Sequence, residues 1–299
     1  MLAHWDDVDW ARRALGEMDA EWQRLGDAAG CVGIGVSRVR IAPGKLSTPP
    51  HSHGASEEIV YVLGGSGLVW QDEAVFEVGP GDCVVFRANE LEHTLRGGDD
   101  GVEVLIFGTR HPVELGWLPR SRAIRLGWPW VEGRTDNPWE IEAQAEPLVF
   151  AAPGERPANV ARADDVPPGG EGRKALAAAA GSEQTGLNWV RLEPGAEGSR
   201  LHCHAAEEEA FVILEGEATL VLERAPLARS DAPESGEHTV RAGHVIARPP
   251  GTRVAHQLRA GPSGVSYLAY GTREPNDIVY YAETGEVFLR GVGVTMRTE

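Results

Sequence analysis

Residues 51–65 read His51-Ser-His53-Gly-Ala-Ser-Glu-Glu58-Ile-Val-Tyr-Val-Leu-Gly-Gly65, and residues 202–216 read His202-Cys-His204-Ala-Ala-Glu-Glu-Glu209-Ala-Phe-Val-Ile-Leu-Glu-Gly216. The two histidines, Glu58 and the closing glycine all recur at an offset of 151 residues. A later histidine accompanies each copy, His93 in the first and His256 in the second. Three neutral imidazoles and one carboxylate suit a divalent transition metal that keeps open coordination positions. The chain therefore carries one candidate ligand set twice: His51, His53, Glu58 and His93, then His202, His204, Glu209 and His256.

The repeat extends outward from these residues, and a repeat of this kind decides the fold. Val39-Arg-Ile-Ala-Pro43-Gly44 matches Val190-Arg-Leu-Glu-Pro194-Gly195 at the same offset of 151. Phe107-Gly-Thr-Arg110-His-Pro112 matches Tyr270-Gly-Thr-Arg273-Glu-Pro275 at 163. The extra residues of the second copy fall mostly in a Pro-, Ser- and Glu-rich stretch between Glu223 and His238, the polar-loop position that a shared scaffold tolerates. WDDV at 5–8 and ADDV at 163–166 stand in similar contexts. Two domains of ordinary size follow, 1–147 and 148–299.

Within each copy, short runs of Val, Ile, Leu and aromatics bounded by Gly, Pro and Asp predict strands. They fall at 32–41, 59–63, 67–70, 83–87 and 102–107, and at 187–192, 210–214, 218–223, 244–248 and 264–270. Gly64-Gly65-Ser-Gly67 and Glu215-Gly216-Glu read as hairpin turns. Many short, closely spaced strands make the chain all-β, a pair of small barrels or sandwiches. Trp10, Ala14, Met18, Trp22 and Leu25 recur at three- and four-residue spacing before Gly26 and predict a short amphipathic N-terminal helix that packs on a barrel or a second subunit. The stretch 113–186 holds Trp117, Trp128, Trp130 and Trp139, many prolines and an alanine run at 177–180. Its tryptophans are expected to dock on a barrel surface, with some residues forming edge strands.

Residues at i and i+2 of a strand share a face, so His51 with His53, and His202 with His204, converge while Ser52 and Cys203 turn away. Glu58 lies five residues after His53, so a turn at Gly54-Ala-Ser56 must precede it, and Glu58 then opens a strand with Val60 and Val62 on the same inner face. Ala205-Ala206 serves the same purpose before Glu209. Glu57, Glu207 and Glu208 read as solvated acids, and Arg87 as a salt-bridged arginine.

With 28 basic and 45 acidic residues the formal charge is −17, which opposes binding to nucleic acid and to anionic membranes. No apolar run is long enough to span a bilayer, and the start shows no signal-peptide pattern. Cys31, Cys83 and Cys203 show no close pairing, so a disulfide framework is not expected and a reducing cytoplasm is.

Gly44, His51, His53, Glu58, Gly65 and their counterparts Gly195, His202, His204, Glu209, Gly216 resemble the first motif of the cupin superfamily, and Gly243, Pro249, Gly251, His256 resemble the second. The chain thus looks like a bicupin. The gap between the leading glycine and first histidine is one residue longer than usual, and Arg87 stands where the first copy would carry the second motif's proline. The resemblance implies two tandem jelly-roll-like barrels, each holding one divalent metal (Fe, Mn, Zn or Ni) on three histidines and one glutamate. It implies a metal-dependent enzyme of the dioxygenase, decarboxylase, isomerase or aminohydrolase type acting on a small oxygenated organic molecule. A non-catalytic binder of a small molecule such as a sugar acid is the alternative, and a storage or structural protein comes after it. A homodimer is expected.

Overall fold

A computed structural model describes residues 2–126, 137–226, 228 and 232–297. Strands dominate, and they group into two large antiparallel sheets that fold over without closing, each a cupin-type β-sandwich barrel. The first has eight strands in the order Val160–Arg162, Asp82–Phe86, Glu58–Gln71, His93–Thr109, Ile34–Ile41, Met18–Gln23 and Ala11–Leu15, with Ala74–Val78 on Glu58–Gln71. The second, of eleven, is built around Glu209–Arg224 and Val254–Thr272 and ends on Ile278–Tyr281, Glu286–Leu289 and Val294–Arg297.

Alternation explains where the cores lie. Val60, Val62, Val104 and Phe86 fill the first barrel, and Phe211, Ile213, Leu258 and Tyr267 the second. The opposite faces make a third core between the barrels, where Ile59 and Phe107 meet Leu187, Leu268 and Tyr270. Phe107 and Tyr270, matched positions of the repeat, place their ring centroids 5.1 Å apart there. The barrels also exchange arms. Leu2–His4 pairs with His244–Arg248 of the second sheet, and Val160–Arg162 pairs with Asp82–Phe86 of the first. The WDDV and ADDV stretches follow these two arms.

Two local expectations are corrected. The stretch from Trp10 to Leu25 is not a helix but a hairpin, Ala11–Leu15 with Met18–Gln23, in which Leu15 faces Met18 across Gly16-Glu17. Gly16 adopts φ +60, the first-position glycine of a two-residue turn. Met18 and Ala20 are buried while Asp19 and Glu21 are not, a period of two. The helix itself is Leu25–Ala29, ending at Gly30 with φ 88. Gly64–Gly67 is likewise no hairpin turn: Glu58–Gln71 runs through it, slipping register against His93–Thr109 between Val62 and Gly64 and between Gly65 and Gly67. These are bulges that bend one long strand around the barrel. A Cβ on Gly65, at φ +73, would fall 2.3 Å from the carbonyl oxygen of Gly101, and one on Gly216 would fall 2.2 Å from that of Gly264.

The connector supplies edges as expected. Leu115–Leu118 pairs with Ser52–His53 and with Ala123–Leu126. A helix, Pro138–Gln144, starts on an Asn137 cap with Pro138 at its first turn. The alanine run forms the helix Leu176–Ala179, which buries Leu176 and Ala177 between the barrels. Trp139 meets Arg13, with the guanidinium carbon 5.5 Å from its ring. Trp117 is about a third exposed, and Trp128 and Trp130 lie outside the described residues. No described helix is long and apolar enough to cross a membrane.

Candidate metal centres

In the first barrel His53 ends the short strand Ser52–His53, a bend at Gly54-Ala55 follows, and Glu58 opens the next long strand. His51 bridges to His93 across the sheet, the two exchanging backbone hydrogen bonds of 3.1 and 2.9 Å. One donor atom from each of His51, His53, Glu58 and His93 lies within 4.8 Å of all the others. His93 Nε2 is 3.3 Å and His53 Nε2 3.5 Å from the Glu58 carboxylate. His51 Nδ1 is 3.0 Å from the carbonyl of Pro49, and His93 Nδ1 is 3.1 Å from that of Leu91. Each Nδ1–H thereby donates to the carbonyl two residues earlier, which leaves the Nε2 lone pair free toward the centre.

The second barrel repeats this arrangement. His202 pairs with His256 in the ladder, and His202 Nδ1 is 2.6 Å from the carbonyl of Arg200. His202, His204 and Glu209 cluster within 4.8 Å, and His256 Nε2 stands 3.0 Å from the Glu209 carboxylate. His53 Nε2, His204 Nε2, His256 Nε2 and Glu209 Oε2 are buried and make no hydrogen bond among the described residues. Buried polar atoms without partners are costly, so inward-facing donors of this kind fit a cation at their centre.

The electrostatics agree. Burial pushes His51 and His256 down to about 3 and lowers His202, so these imidazoles are neutral donors. Burial also opposes charge on His53, but Glu114 and Glu58 outweigh it and raise it to about 9. Asp277 and Glu209 do the same for His204, to about 10. Against burial, the neighbouring histidines hold Glu58 and Glu209 well below the usual carboxylate range. A divalent cation would displace the proton that each centre otherwise holds on its second histidine.

Two partners escaped the sequence reading. Asp277 takes His204 Nδ1 at 2.6 Å, and Glu114 stands 3.7 Å from His53 Nδ1. They are matched residues, because 114 + 163 = 277 and the repeat runs two positions past Pro112 and Pro275. Carrying that alignment further would have found both. The grouping of His204, Glu207 and Asp277 lies on the Nδ1 side of His204, where the carboxylates orient the ring.

Glu57, Glu207 and Glu208 are not solvated, as expected from the sequence, but buried. Glu207 pairs with Arg290, and Glu57 and Glu208 accept backbone N–H groups from the opposite barrel. Arg87 is an exposed, salt-bridged arginine, bound to Glu90 and Glu183. Cys203 faces away from the centre yet is buried, packed with Leu201 and Ala255. Behind the centres the barrels differ. Phe86 stacks on His93 at 3.7 Å, whereas its counterpart Arg248 is a buried cation that donates to the carbonyl of Val254 at 2.7 Å.

The surrounding space differs as well. A cavity of about 710 Å³ reaches the first donor set, walled by Trp22, Leu95, Ile106 and Trp139. The second donor set opens on about 80 Å³, lined among others by Arg173, Asn188, Gln257 and Tyr267.

A family model described as the cupin domain matches residues 37–107 and again 188–264. None of the curated proteins matches the chain. Several solved structures of oxalate decarboxylase from Bacillus subtilis share the fold. One at pH 4.6 has a TM-score of 0.58 at 18% identity, covering 90% of this chain and 75% of that one. Another, concerned with the Mn(II) centres of that enzyme, gives 0.58 and 18%, covering 93% and 78%. A third, on its substrate binding mode and a reaction specificity switch, gives the same score, identity and coverage. At such identity the likeness is one of fold.

Proposed function

Because the chain is a bicupin of the cupin superfamily, we propose that it is a metal-dependent enzyme acting on a small oxygenated organic molecule in its first barrel. The observation that carries this reading is the convergence of His51, His53, Glu58 and His93 at the end of a cavity of about 710 Å³, within the range of roughly 300–1,000 Å³ usual for ligand pockets. These four, and His202, His204, Glu209 and His256, would each hold one divalent transition metal, Fe, Mn, Zn or Ni. Such a metal, when bound, supplies Lewis acidity toward a substrate oxygen, or redox chemistry if it is Fe or Mn. The neighbouring oxalate decarboxylases, one studied for its Mn(II) centres, favour Mn and a decarboxylase among the four reaction types.

The chain's own residues do the rest. Pro49 and Leu91 carbonyls fix the His51 and His93 rings, and Glu114 faces the outer nitrogen of His53. Trp22, Leu95 and Ile106 line the space beside the donors with apolar surface, against which the carbon skeleton of a substrate would rest. In the same proposal the chain is cytoplasmic and homodimeric. Cys31, Cys83 and Cys203 are free and buried, as a reducing compartment permits. The edge strand Val294–Arg297 exposes Val294 and Met296, a surface a second copy could cover. Light scattering at the 32.2 kDa of one chain would refute the dimer.

Metal analysis of protein purified without added metal or nickel affinity, and again after reconstitution, tests the core of the proposal. Two equivalents per chain are expected, with turnover of small oxygenated acids by the loaded protein. A value near zero after reconstitution overturns the metal assignment. Full loading with ligand binding but no turnover makes the protein a non-catalytic binder instead.

A further inference from the structure

The bends that carry the chain from each His-x-His pair to its carboxylate, 54–57 and 205–208, match residue by residue, yet their backbone groups are held differently. In the second barrel the Glu208 N–H donates to the Thr272 hydroxyl at 3.1 Å, and the Thr272 N–H donates back to the Glu208 carbonyl at 3.1 Å. Asp277 accepts the N–H groups of Ala206 at 2.8 Å and Glu207 at 3.2 Å. Thr272 ends the strand Val254–Thr272, so this bend is closed by its own barrel. The first barrel has the same residue in the same place: Thr109 ends His93–Thr109, and Thr272 is Thr109 plus 163. The Thr109 hydroxyl is nevertheless buried and makes no hydrogen bond among the described residues.

The Glu57 N–H goes to the opposite barrel instead. Gln184 Oε1 accepts it at 3.2 Å, and Gln184 Nε2 donates to the Ala55 carbonyl at 3.0 Å. One carboxamide spans the far half of the bend, accepting at one end and donating at the other, which a carboxylate or a hydrocarbon cannot do. Glu114 takes the near half, accepting the N–H groups of Gly54 at 2.9 Å and Ala55 at 3.4 Å. Gln184 is itself held in place. Its carbonyl accepts the Arg273 N–H at 3.1 Å, the Arg273 guanidinium donates to the Ser182 carbonyl at 2.8 Å, and Arg87 of the first barrel pairs with Glu183 at 2.8 Å. The contact is not reciprocal, because the residue matched to Gln184 at the offset of 151 is Gly33, which has no side chain to return it.

We propose that Gln184 is a positioning residue of the first metal centre, supplied by the second barrel. This rests on the metal assignment above. The bend that Gln184 spans lies between two donors, His53 and Glu58. Glu57 is fully buried, so its N–H requires a partner, and the place of that partner sets where the next residue, Glu58, leaves the bend. The Glu58 carboxylate stands 3.3 Å from His93 and 3.5 Å from His53, and a metal site tolerates errors of only about 0.2 Å in its donor distances. Without the amide the Ala55 carbonyl and the Glu57 N–H lose their partner, the bend loosens and the first centre loosens with it. The second centre, closed by Thr272 and Asp277, keeps its geometry. The first centre is thus built from both halves of the chain, the second from one.

The test is chelator competition for Co(II) on the full chain, one centre at a time: His204→Ala leaves the first centre to be read and His53→Ala the second. In the His204→Ala background, Gln184→Ala should weaken Co(II) binding about fivefold or more, the effect of roughly one net hydrogen bond. It should also shift the visible absorption of the bound Co(II), which reports donor geometry. In the His53→Ala background the same substitution should change neither. Gln184→Glu, which accepts but cannot donate, should not restore the first centre. Thr109→Val should leave the first centre unchanged, whereas Thr272→Val should weaken the second. First-centre affinity and spectrum unchanged by Gln184→Ala overturn the proposal and leave the metal assignment standing. Equal weakening of both centres with a lower metal-free melting temperature overturns it too, since that is general loosening. So does a first centre weakened by Thr109→Val, which would return the bend to its own barrel. Co(II) bound in neither background overturns the metal assignment and this proposal with it.

Discussion

Glu57 and Glu208, 151 residues apart, each cap the start of a strand in the other's barrel, Thr185–Leu192 and Ile34–Ile41 respectively. Glu57 accepts from the N–H groups of Glu183 at 2.8 Å and Thr185 at 3.2 Å and from the hydroxyls of Ser182 and Thr185, both at 2.6 Å. Glu208 accepts from the N–H groups of Val32, at 2.8 Å, and Gly33. Val32 and Glu183 are themselves matched positions. Each of these acids directly precedes a centre's carboxylate, Glu58 or Glu209, so the bend that delivers that donor is tied to the opposite half of the molecule. Charge-assisted bonds of this kind let the acids stay buried.

Removing either tie should destabilise the whole chain. Glu57→Ala strands the buried N–H of Thr185, at about 1–3 kcal/mol for a buried donor left unpaired. At roughly 2–4 °C per kcal/mol its melting should fall by several degrees, and Glu208→Ala, whose donors belong to the exposed Val32 and Gly33, should cost less. Scanning calorimetry decides the point: a shift of under a degree in both variants would mean the caps contribute nothing.

Asp277→Asn should weaken metal binding in the second barrel by roughly 10–100-fold, because it removes the carboxylate that holds the His204 ring at 2.6 Å. Glu114→Gln should affect the first barrel less, since that carboxylate stands 3.7 Å from His53. Competition with a chelator of known affinity reads each site. Equal affinities in wild type and both variants would show that these carboxylates do not tune the centres.

His204→Ala should empty the second centre, whereas His244→Ala should not. His244 lies on the strand His244–Arg248 with its Nδ1 at the backbone of Arg241 and its ring 4.7 Å from His4. Both variants delete one imidazole from the same barrel, so metal counting separates a lost donor from general damage. Equal metal loss in the two would contradict the donor assignment.

Chelation should lower the melting temperature of the loaded protein. A metal that binds only the folded state adds RT ln(1 + [L]/Kd), about 2.7 kcal/mol at a hundredfold excess over Kd. Melting curves that coincide with and without chelator, at proven metal loss, would exclude this contribution.

Gly216→Ala should cost on the order of 1–3 kcal/mol or more, since it forces φ +75 on an alanine and drives its Cβ to 2.2 Å from the Gly264 carbonyl. Denaturant unfolding measures the loss. A stability equal to wild type would show that the bulge relaxes freely.

The repeated His-x-His, the glutamate five residues on and the later histidine were legible in the chain because their geometry is local: alternation along a strand and a short bend suffice to aim them, and a second copy at a fixed offset repeats the statement. The all-β class followed from the same alternation. The hairpin Ala11–Leu15 with Met18–Gln23 was hidden because a residue four positions along lies on the same face in a strand and close to it in a helix, so Trp10, Ala14, Met18 and Trp22 satisfy both periods. Only Gly16 distinguished them. The bulges at Gly65 and Gly216 needed the partner strand, whose carbonyls leave no room for a Cβ. The burial of Glu57 and Glu208, the exchanged arms Leu2–His4 and Val160–Arg162, and the different room around the two centres arise where residues more than seventy positions apart, or whole walls of a barrel, come into contact. Spacing along the chain sets which side chains share a face; which faces meet, and how much space stays between them, is decided by packing in three dimensions.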